Sequence, residues 1–552
     1  EMLETHAAEL LMRGHVRTLD TWIHALPPDR ESRSPRINLA CAWMHILRGS
    51  ARRAEPYLKR LGEIFDLSPQ AENENSHNDS LRGEWLVIQA LIAYGLGEME
   101  KSLALAQKSL ATTDPENHRV SSLACYAQAS AYCALEEYSP AERAFQESIQ
   151  KARRVDNRIA EILSTAGLSI MAFEHGRLLQ AVRIAASTVE RMERAGYIPS
   201  MSCVLYGALA EVDYQWYRLE EARRYMLKAL RLSTLGGYAG VIGCRVYLSR
   251  LDLLEGKVDQ AAKSVQEAVD LIEEDTPGFI VREAAAQKVR VHLAEGNLPE
   301  AERELLPYGF GFRPSFSCPG ITPGGTFSYS SGLLYNSSLH VILYRAEILG
   351  DSSAVPEGLL LAEILLEEAV RNNSALTAME TLLLRARLRV RQQPSVGNDR
   401  RVLETEARKD IIRALRLGEP EGIAGVFIEQ GEAIRNFLQE LKKGPLPKGV
   451  SREYIERLLS ISPPVRSIGK KPLSPPADPA AAESAGIAES LTDRELEVLA
   501  CMARGMKYRE TADHLFVSLN TVRFHVKSIY GKLAVDTRMK AIEKARAAGL
   551  LR

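Results

Sequence analysis

Basic, amide and aromatic side chains recur on one face of a predicted helix between Ser518 and about Leu533. At about 100° per residue, a narrow apolar stripe forms on the opposite side, at Val522, Val526, Ile529 and Leu533. The other face carries Asn520, Phe524, Lys527 and Gly531, flanked by Arg523. Such a helix suits insertion into the major groove of DNA, where basic side chains reach guanine and a phenyl ring reaches a thymine methyl group. A solvated charged face is the alternative interpretation of this helix alone.

This helix is the third of four short helices predicted in Leu491–Arg552. A capping box formed by Thr492 and Glu495 begins the first helix. The second covers Tyr508–Leu515, and the fourth runs from about Thr537 to Gly549. The segment has 12 lysines and arginines against 7 acidic residues, a balance of +5 that leaves −6 for the rest of a chain with net charge −1. The basic end is therefore expected to face phosphate.

The segment resembles the LuxR-type (FixJ/NarL-like) helix-turn-helix domain. The matching residues, in chain order, are Leu491-Thr492, Arg494-Glu495, Glu497-Val498-Leu499, Gly505, Ala512, Leu515, Ser518, Thr521-Val522, His525, Ile529, Lys532-Leu533, Val535, Arg538, Ala541 and Gly549-Leu550-Leu551. The resemblance implies double-stranded promoter DNA as the partner. It also implies that Arg523, Phe524 and Lys527 reach base edges.

Other residues of this segment are expected to contact the DNA backbone. Asn520 and Thr521 lie at the start of the helix, where free amides favour phosphate or sugar. For His525 and Lys532, a phosphate contact and an internal hydrogen bond fit equally well. Residues 507–511 depart from the usual Ser-Asn-Lys-Glu-Ile of the family, and Lys507 or Tyr508 is the candidate substitute for its backbone contact.

Length and composition indicate an all-α protein of more than one domain. The 552 residues exceed what one core organises, and the chain is 45% apolar with only 6% aromatic residues. Its seven cysteines are scattered without C-x-x-C spacing, so neither a zinc site nor a disulfide framework is expected. No signal peptide and no membrane-spanning apolar run occurs, which makes a reducing cytoplasm the expected location.

A repeated unit precedes the basic end, consisting of an Ala/Leu-rich helix, a turn and a second helix. Turns are expected at Gly49, Gly97, Tyr138, Gly176, Arg218, Gly256 and Gly296, and small residues follow at Ala54, Ala104, Ala141, Ala181, Ala222, Ala261 and Ala301. The step of about 40 residues predicts a solenoid of helical hairpins. The array resembles tetratricopeptide (TPR) repeats and, with the terminal domain, the MalT-type branch of large LuxR regulators. That resemblance implies an inducer-binding array, contact with RNA polymerase, and an ATPase that uses ATP before Glu1.

These patterns divide the chain into three parts. Residues 1–445 are expected to form the TPR-like sensor array, with a non-helical insertion at about 306–332 and helices resuming at Leu339. The insertion is either a lid that contacts an effector or an ordinary long loop. Residues 446–490, rich in proline and alanine, are expected to form a linker, and 491–552 the DNA-binding domain.

No catalytic motif occurs, so an enzyme is not expected and this chain needs no cofactor or metal. No G-x-x-x-x-G-K-[ST], H-E-x-x-H or G-x-S-x-G sequence is present. Aromatic residues cluster in the middle repeats, and the candidate ligand contacts are Tyr206, Tyr214, Trp216, Tyr217 and Tyr247. An inner solenoid surface lined by them could hold a small polar-aliphatic or sugar-like ligand or a peptide, whereas packing is the default explanation for any one of them.

Two functions remain open at this point. The first is a ligand-responsive transcription activator, which senses an effector in the array and assembles as a dimer or a larger complex on DNA. The second is an adaptor, in which the array binds proteins and the basic domain is a further docking module. A phosphorylated response regulator is disfavoured, because no alternating strand–helix pattern precedes the linker.

Overall fold

The computed structural model describes residues 2–12, 15–25, 34–47, 51–66, 75–236, 238–274, 276–313, 315–321, 327–393, 400–461, 493–504, 506–515, 522, 525–526, 529–530, 535 and 537–547. Contacts between residues divide the chain into unit 1, Glu1–Gly469, and unit 2, Lys470–Arg552. The described ranges are helical, with a single isolated β-bridge between Gly311 and Ser317. The predicted all-α class is therefore confirmed.

Unit 1 is a succession of helices. Within the described residues they are α1 (Met2–Met12), α2 (Val16–His24), α3 (Pro35–Leu47), α4 (Ala51–Asp66), α5 (Asn75–Gly95), α6 (Met99–Thr112), α7 (His118–Ala134), α8 (Tyr138–Arg154), α9 (Arg158–Glu174), α10 (Leu178–Arg194), α11 (Cys203–Gln215), α12 (Leu219–Gly236), α13 (Tyr238–Leu254), α14 (Val258–Val269), α15 (Gly278–Glu295), α16 (Leu298–Leu305), α17 (Tyr329–Ile348), α18 (Val355–Arg371), α19 (Ala375–Arg391), α20 (Arg400–Gly418), α21 (Gly425–Ile428), α22 (Glu432–Lys443) and α23 (Arg452–Ser460). From α3 to α20 they form hairpins, in which each odd-numbered helix is the first of its pair.

One residue with a left-handed backbone marks the turn of each central hairpin. These residues lie 39 to 41 positions apart, at Gly97, Glu136, Gly176, Tyr217, Gly256 and Gly296. Glycine adopts a positive φ freely, whereas Glu136 (φ 64°) and Tyr217 (φ 59°) occupy a region that L side chains rarely adopt. The recurrence confirms the predicted repeat of about 40 residues.

A small residue five positions after each turn lets the two helices of a hairpin approach closely. Ser102, Ala141, Ala181, Ala222, Ala261 and Ala301 all have no exposed surface. Ala104, which the repeat pattern placed in this role, is exposed instead. Because α6 begins at Met99, Ser102 has the inward position, and its hydroxyl donates to the carbonyl of Ala90 at 2.8 Å.

Six first helices of unit 1 form a ring. Helices α9, α11, α13, α15, α17 and α19 each contact the next in this order, and α19 contacts α9 again. The closure is tight, because a Cβ added at Gly176 after α9 would lie 2.8 Å from the Cβ of Ala375 in α19. Phe173, Met379 and Phe427 belong to one buried cluster that spans this contact. The space inside the ring is called the chamber below.

The insertion predicted at 306–332 is a packed loop that ends earlier than expected. Its described residues include a 3-10 turn at Leu306–Tyr308 and the bridge between Gly311 and Ser317. Its phenylalanines are buried, at Phe310, Phe312, Phe316 and Phe327. Helix α17 begins at Tyr329 rather than Leu339, because the Ser328 hydroxyl accepts from the amide of Ser331 at 3.2 Å and caps the helix.

The array extends into the first part of the predicted linker, 446–490. Helix α23 lies inside that range, and its Tyr454, Ile455 and Leu458 are buried against the closing core. Pro445 and Pro447 precede this helix and a proline-rich stretch follows it, so composition alone assigns the helix to the linker. Residues 462–490 lie outside the described residues.

Unit 2 contains three described helices, α24 (Asp493–Ala503), α25 (Tyr508–Leu515) and α26 (Arg538–Ala547). They enclose a small core with residues of the predicted third helix. Its buried side chains are Val498, Leu499, Met502, Val522, Val526, Ile529, Ala541 and Ala545. The inward stripe of the third helix is thereby confirmed at Val522, Val526 and Ile529, whereas Leu533 lies outside the described residues.

The closing core generates a stability prediction. Phe427 is 2% exposed and meets Tyr454 edge-on, with ring centroids 6.2 Å apart. We expect Phe427→Ala to lower the free energy of unfolding of unit 1 by about 3–5 kcal/mol, because it leaves a cavity. Urea unfolding followed by far-ultraviolet circular dichroism measures this. Phe279→Ala is the matched control, since Phe279 is 42% exposed, and equal losses in both variants would contradict the role of the closing core.

Candidate nucleic-acid interface and effector chamber

The predicted DNA-contacting residues lie mostly outside the described residues. This holds for Asn520, Thr521, Arg523, Phe524, Lys527 and Lys532, whose roles stay predictions. His525 is partly buried and makes a contact with another residue, which fits its open choice between phosphate and an internal bond. Lys507 is exposed, and its amide donates to the Glu510 carboxylate at 2.8 Å before α25.

Arg538 joins two helices of unit 2, a role that the sequence did not reveal. Its guanidinium donates to the carbonyls of Met502 (2.6 Å) and Met506 (2.9 Å), next to the end of α24. A guanidinium at a helix C-terminus satisfies carbonyls that have no partner in the helix. Arg538 therefore helps to hold α26 against the helix that precedes the predicted helix-turn-helix.

The five predicted aromatic ligand contacts do not lie on one surface. Tyr206 is buried, and its hydroxyl donates to Glu193 at 2.9 Å. Trp216 donates to the carbonyl of Glu421 at 2.8 Å, and Tyr217 is the left-handed turn residue after α11. Tyr214 is fully buried and donates to Glu429. These four residues have packing roles, and a ligand role for them stays a prediction.

Tyr247, the fifth predicted ligand contact, is different. It meets Tyr214 edge-on, with ring centroids 5.8 Å apart. Its hydroxyl oxygen is buried and has no hydrogen-bond partner within the described part of the chain. It lies within electrostatic range of Glu211 in α11 and Tyr329 in α17.

A buried network of charges connects the ring to the helices after it. The Glu429 carboxylate, one residue after α21, binds Arg250 of α13 at 2.7 Å and Arg290 of α15 at 3.0 Å. Arg290 also pairs with Glu380 of α19. The Nε2 atom of His340 lies 3.3 Å from the same carboxylate. Although burial opposes ionisation, the two arginines lower the pKa of Glu429 to about 2. Glu429 is therefore a fixed negative charge shared by two helices of the ring.

Three partly buried carboxylates, those of Glu174, Glu211 and Glu283, lie on first helices of the ring. Burial and repulsion by Glu283 raise the pKa of Glu174 to about 8, and burial together with Glu283 raises the pKa of Glu211 to about 8. Burial also raises the pKa of Glu283 to about 7, although Arg282 and Arg250 oppose this shift. Glu174 in α9 and Glu283 in α15 lie across the ring from each other. The two carboxylates therefore lie within electrostatic range of each other.

Sequence reasoning missed these carboxylates because a single glutamate in a helix is usually a surface residue. A signal was nevertheless present in the sequence. Helix α11, CVLYGALAEVDYQ, has few polar residues, and Glu211 interrupts its apolar run. Helix α9 likewise ends in MAFE at Glu174. An isolated acid on a first helix that is otherwise packed by small apolar residues indicates an inward position.

Among the described residues, no three His, Cys, Asp or Glu side chains come together closely enough to hold a metal ion. No helix in the described ranges is long and apolar enough to cross a membrane.

The fold and the two sites define a class: a helical-repeat array followed in the same chain by a small helix-turn-helix domain. Residues 83–444 match the family described as the MalT-like TPR region, and residues 489–545 match the bacterial regulatory proteins of the luxR family. The chain belongs to the MalT-like TPR family and carries a LuxR-type DNA-binding domain at its C-terminal end.

Several curated relatives align with almost the whole chain at low identity. Proteins named HTH-type transcriptional regulator MalT are 23% identical in Vibrio campbellii, 22% in Vibrio cholerae and 23% in Cronobacter sakazakii, each over 99% of this chain. The chain spans 58%, 57% and 57% of the length of these relatives, respectively.

Solved structures share only a loose likeness. A human IFIT1 dimer with PPP-AAAA aligns at 15% identity and a TM-score of 0.35, covering 73% of this chain and 85% of that one. A Cut9–Hcn1 hetero-tetramer of the APC/C aligns at 13% identity and 0.29, covering 82% and 94%. At these scores the likeness is too slight to support any inference.

The Arg538 contacts generate a prediction for unit 2. Arg538→Ala should destabilise the end of α24 by about 1–3 kcal/mol, because two carbonyls lose a charged donor. Hydrogen–deuterium exchange of residues 493–503 would then become faster. Arg546→Ala on the same helix is exposed and should leave that exchange unchanged. Unaltered exchange in Arg538→Ala would show that the guanidinium does not hold α26.

The Glu429 network generates a second prediction. Glu429→Gln should lower the free energy of unfolding by about 3–5 kcal/mol, because it leaves Arg250 and Arg290 buried with one carboxylate fewer. Glu440→Gln, which removes an exposed pair with Lys443, should cost less than about 1 kcal/mol. Chemical unfolding at pH 7 measures the free energy of unfolding of both variants.

The pH dependence follows from the lowered pKa. The stabilisation by Glu429 is present above its ordinary pKa of 4.5 and is lost as the pH falls toward about 2. The wild-type protein should therefore lose more stability than Glu429→Gln over that range. If the wild-type protein and Glu429→Gln lose the same free energy of unfolding as the pH falls over that range, the assignment is contradicted.

Proposed function

We propose that this chain is the sensing and DNA-binding part of a ligand-responsive transcription regulator that acts as an activator. The observation that carries the proposal is the luxR-family match of residues 489–545, joined to a repeat array of the MalT-like family. The relatives that align over 99% of the chain are named transcriptional regulators. The C-terminal domain binds promoter DNA, and the array responds to an effector.

The recognition roles rest on the sequence pattern of the third helix in unit 2. Its Val522, Val526 and Ile529 are buried, so the helix is held through the predicted stripe. Arg523 and Lys527 then contact guanine, and Phe524 contacts a thymine methyl group. Asn520 and Thr521 contact the DNA backbone, and Lys507 is available for the same purpose as an exposed cation.

Effector sensing by the array is supported by the chamber. Six helices surround it, and Glu174 and Glu211 on two of them are partly buried and make no hydrogen bond or ion pair within the described residues. Arg250 lies within electrostatic range of Glu211 and Glu283 and also pairs with Glu429, which lies between α21 and α22. A ligand in the chamber thus acts on a residue that holds the last helices of the array.

Further partners follow from the same family. RNA polymerase contact and assembly into a dimer or a larger complex on DNA complete the proposed regulator. The adaptor alternative has no comparable support, because the family matches are regulatory. In nuclease-treated pull-downs an adaptor would keep its partners after Lys527→Ala, whereas a regulator would lose its DNA-dependent ones.

The DNA-binding proposal is tested by two recognition variants. Arg523→Ala and Lys527→Ala should each weaken binding by about 1–3 kcal/mol and relax the base preference. Binding is measured by gel shift, on duplexes selected from a random library by the wild-type protein. Arg546→Ala, an exposed arginine on α26, is the matched control for lost charge. Equal affinity and preference in wild type and both recognition variants would refute the assignment.

A further inference from the structure

We propose that the repeat array itself contacts the phosphate backbone of duplex DNA, through a cluster of exposed cations near the end of unit 1. This cluster, called the basic face below, consists of Arg408, Arg413, Arg416, Lys448 and Arg452. The inference rests on the proposed function, because it requires a chain that binds DNA through its C-terminal domain. It goes beyond that function by giving the array a nucleic-acid contact of its own.

Helix α20 presents three of these cations on one side. Arg408, Arg413 and Arg416 fall within an arc of about 140° at about 100° per residue, along about 12 Å of the helix. The acidic residues of α20 lie outside this arc and are all ion-paired: Glu404 with Arg400 at 3.4 Å, Glu406 with Lys409 at 2.6 Å and Asp410 with Arg385 at 2.5 Å. This side of α20 is therefore positively charged.

Two hydrogen bonds hold the segment before α23 against the end of α20. The Nε atom of Arg416 donates to the carbonyl of Lys448 at 2.9 Å. The amide of Ser451 donates to the Glu419 carboxylate at 3.0 Å, directly before Arg452 begins α23. These contacts place Lys448 and Arg452 beside Arg416, so the basic face continues from α20 onto the next segment.

The charges of the basic face are not neutralised by ion pairs within the described part of the chain. Two of its arginines donate to backbone carbonyls, and Arg408 lies over the Phe437 ring, 6.0 Å from the centroid. The acidic neighbours that form no ion pair in the same ranges are Glu419 and Glu453, so five cations against two acids leave an excess of three positive charges. Residues 1–490 as a whole have a net charge of −6, so this positive excess is local.

Duplex phosphate is the partner that fits this chemistry. A guanidinium donates two parallel hydrogen bonds to phosphate oxygens, and a lysine ammonium binds phosphate as a point charge. DNA has one negative charge per about 1.7 Å of its axis, so a row of cations about 12 Å long meets several phosphates at once. Because the cations lack carboxylate partners, no internal ion pair has to break before they bind.

The covalent connection allows both parts of the chain to touch one duplex. The last described residue of unit 1 is Ile461, and the first described helix of unit 2 begins at Asp493. The 31 residues between them can span at most about 110 Å, at about 3.5 Å per residue. At 3.4 Å per base pair, this limit corresponds to about 30 base pairs of DNA.

The salt dependence of DNA binding by the full chain tests the inference. Each phosphate contact contributes about −0.9 to the slope of log K against log salt concentration. The test variant combines Arg408→Gln, Arg413→Gln and Lys448→Gln, which together remove no side-chain hydrogen bond within the described ranges. Its slope should be shallower by about 0.9 per lost contact, or about 2.7 for three. Between 50 and 200 mM salt, the wild type should then lose about 40 times more affinity than this variant.

Binding is measured by fluorescence anisotropy on duplexes of about 40 base pairs, which exceed the limit set by the connection. One duplex contains a site selected from a random library by the wild-type protein, and the other has the same composition in scrambled order. The slope should change on both duplexes, because phosphate contacts carry no sequence information. The ratio of the two affinities should equal that of the wild type.

A matched control removes three cations that already have carboxylate partners. It combines Lys101→Gln, Arg194→Gln and Arg303→Gln, which are exposed and each pair with a glutamate. The net charge changes by the same amount, yet the slope should equal that of the wild type. Arg408→Lys with Arg413→Lys keeps the charge and should also retain the wild-type slope. Equal melting temperatures of all variants would show that the fold is intact.

Three outcomes overturn the inference. The first is a wild-type slope in the test variant, and the second is an equal change in the control variant. The third is loss of binding to vesicles that contain phosphatidylglycerol while the DNA slope is unchanged, which would assign the basic face to a membrane surface. Failure of the proposed function is distinguishable, because the wild type would then show no preference for the selected duplex. Failure of this inference leaves that preference intact and removes only the difference in slope.

Discussion

The closed form of the array depends on the carboxylate of Glu429 lying between Arg250 and Arg290. The two arginines belong to consecutive first helices, α13 and α15, and Glu429 follows α21, far along the chain. Two buried arginines without this carboxylate would be strongly destabilising, so the last helices have one position in which the ring is electrically balanced. Apolar contacts between α9 and α19 are less selective, because alanine and leucine surfaces tolerate small shifts of register.

Regularly spaced turns give the helical hairpins that lead up to this contact the same geometry. A left-handed residue every 39 to 41 positions and a fully buried small residue five positions later set each hairpin in the same geometry. Hydroxyl groups reinforce the pattern: Ser169 donates to the carbonyl of Ala181 at 2.9 Å, and Ser249 donates to that of Ala261 at 2.7 Å. Small errors would otherwise accumulate over several repeats before α19 meets α9.

How much of the fold can be predicted from the sequence depends on whether a contact is local or distant along the chain. The hairpins and most inward alanines follow from spacing alone, and the buried stripe at Val522, Val526 and Ile529 follows from helical periodicity. The closure of the array does not follow from such local patterns. For example, the amide of Ala424 donates to the carbonyl of Gln215 at 2.6 Å, and the two residues are more than 200 positions apart in the sequence. The turn at Gly97 was predicted correctly, but it does not tell which small residue after it faces inward; Ser102 does, and Ala104, two positions further along the helix, is rotated outward.

The chamber and the closing contact are electrically connected, and this connection constrains how the array can respond. Arg250 lies within electrostatic range of Glu211 and Glu283 on one side and is bonded to Glu429 on the other. When the chamber acids are neutral, Arg250 has Glu429 as its carboxylate partner; when they ionise, they compete for the same guanidinium. Because linkage is reciprocal, any change at Glu429 that weakens its hold on Arg250 must also alter the ionisation of Glu211 and Glu283.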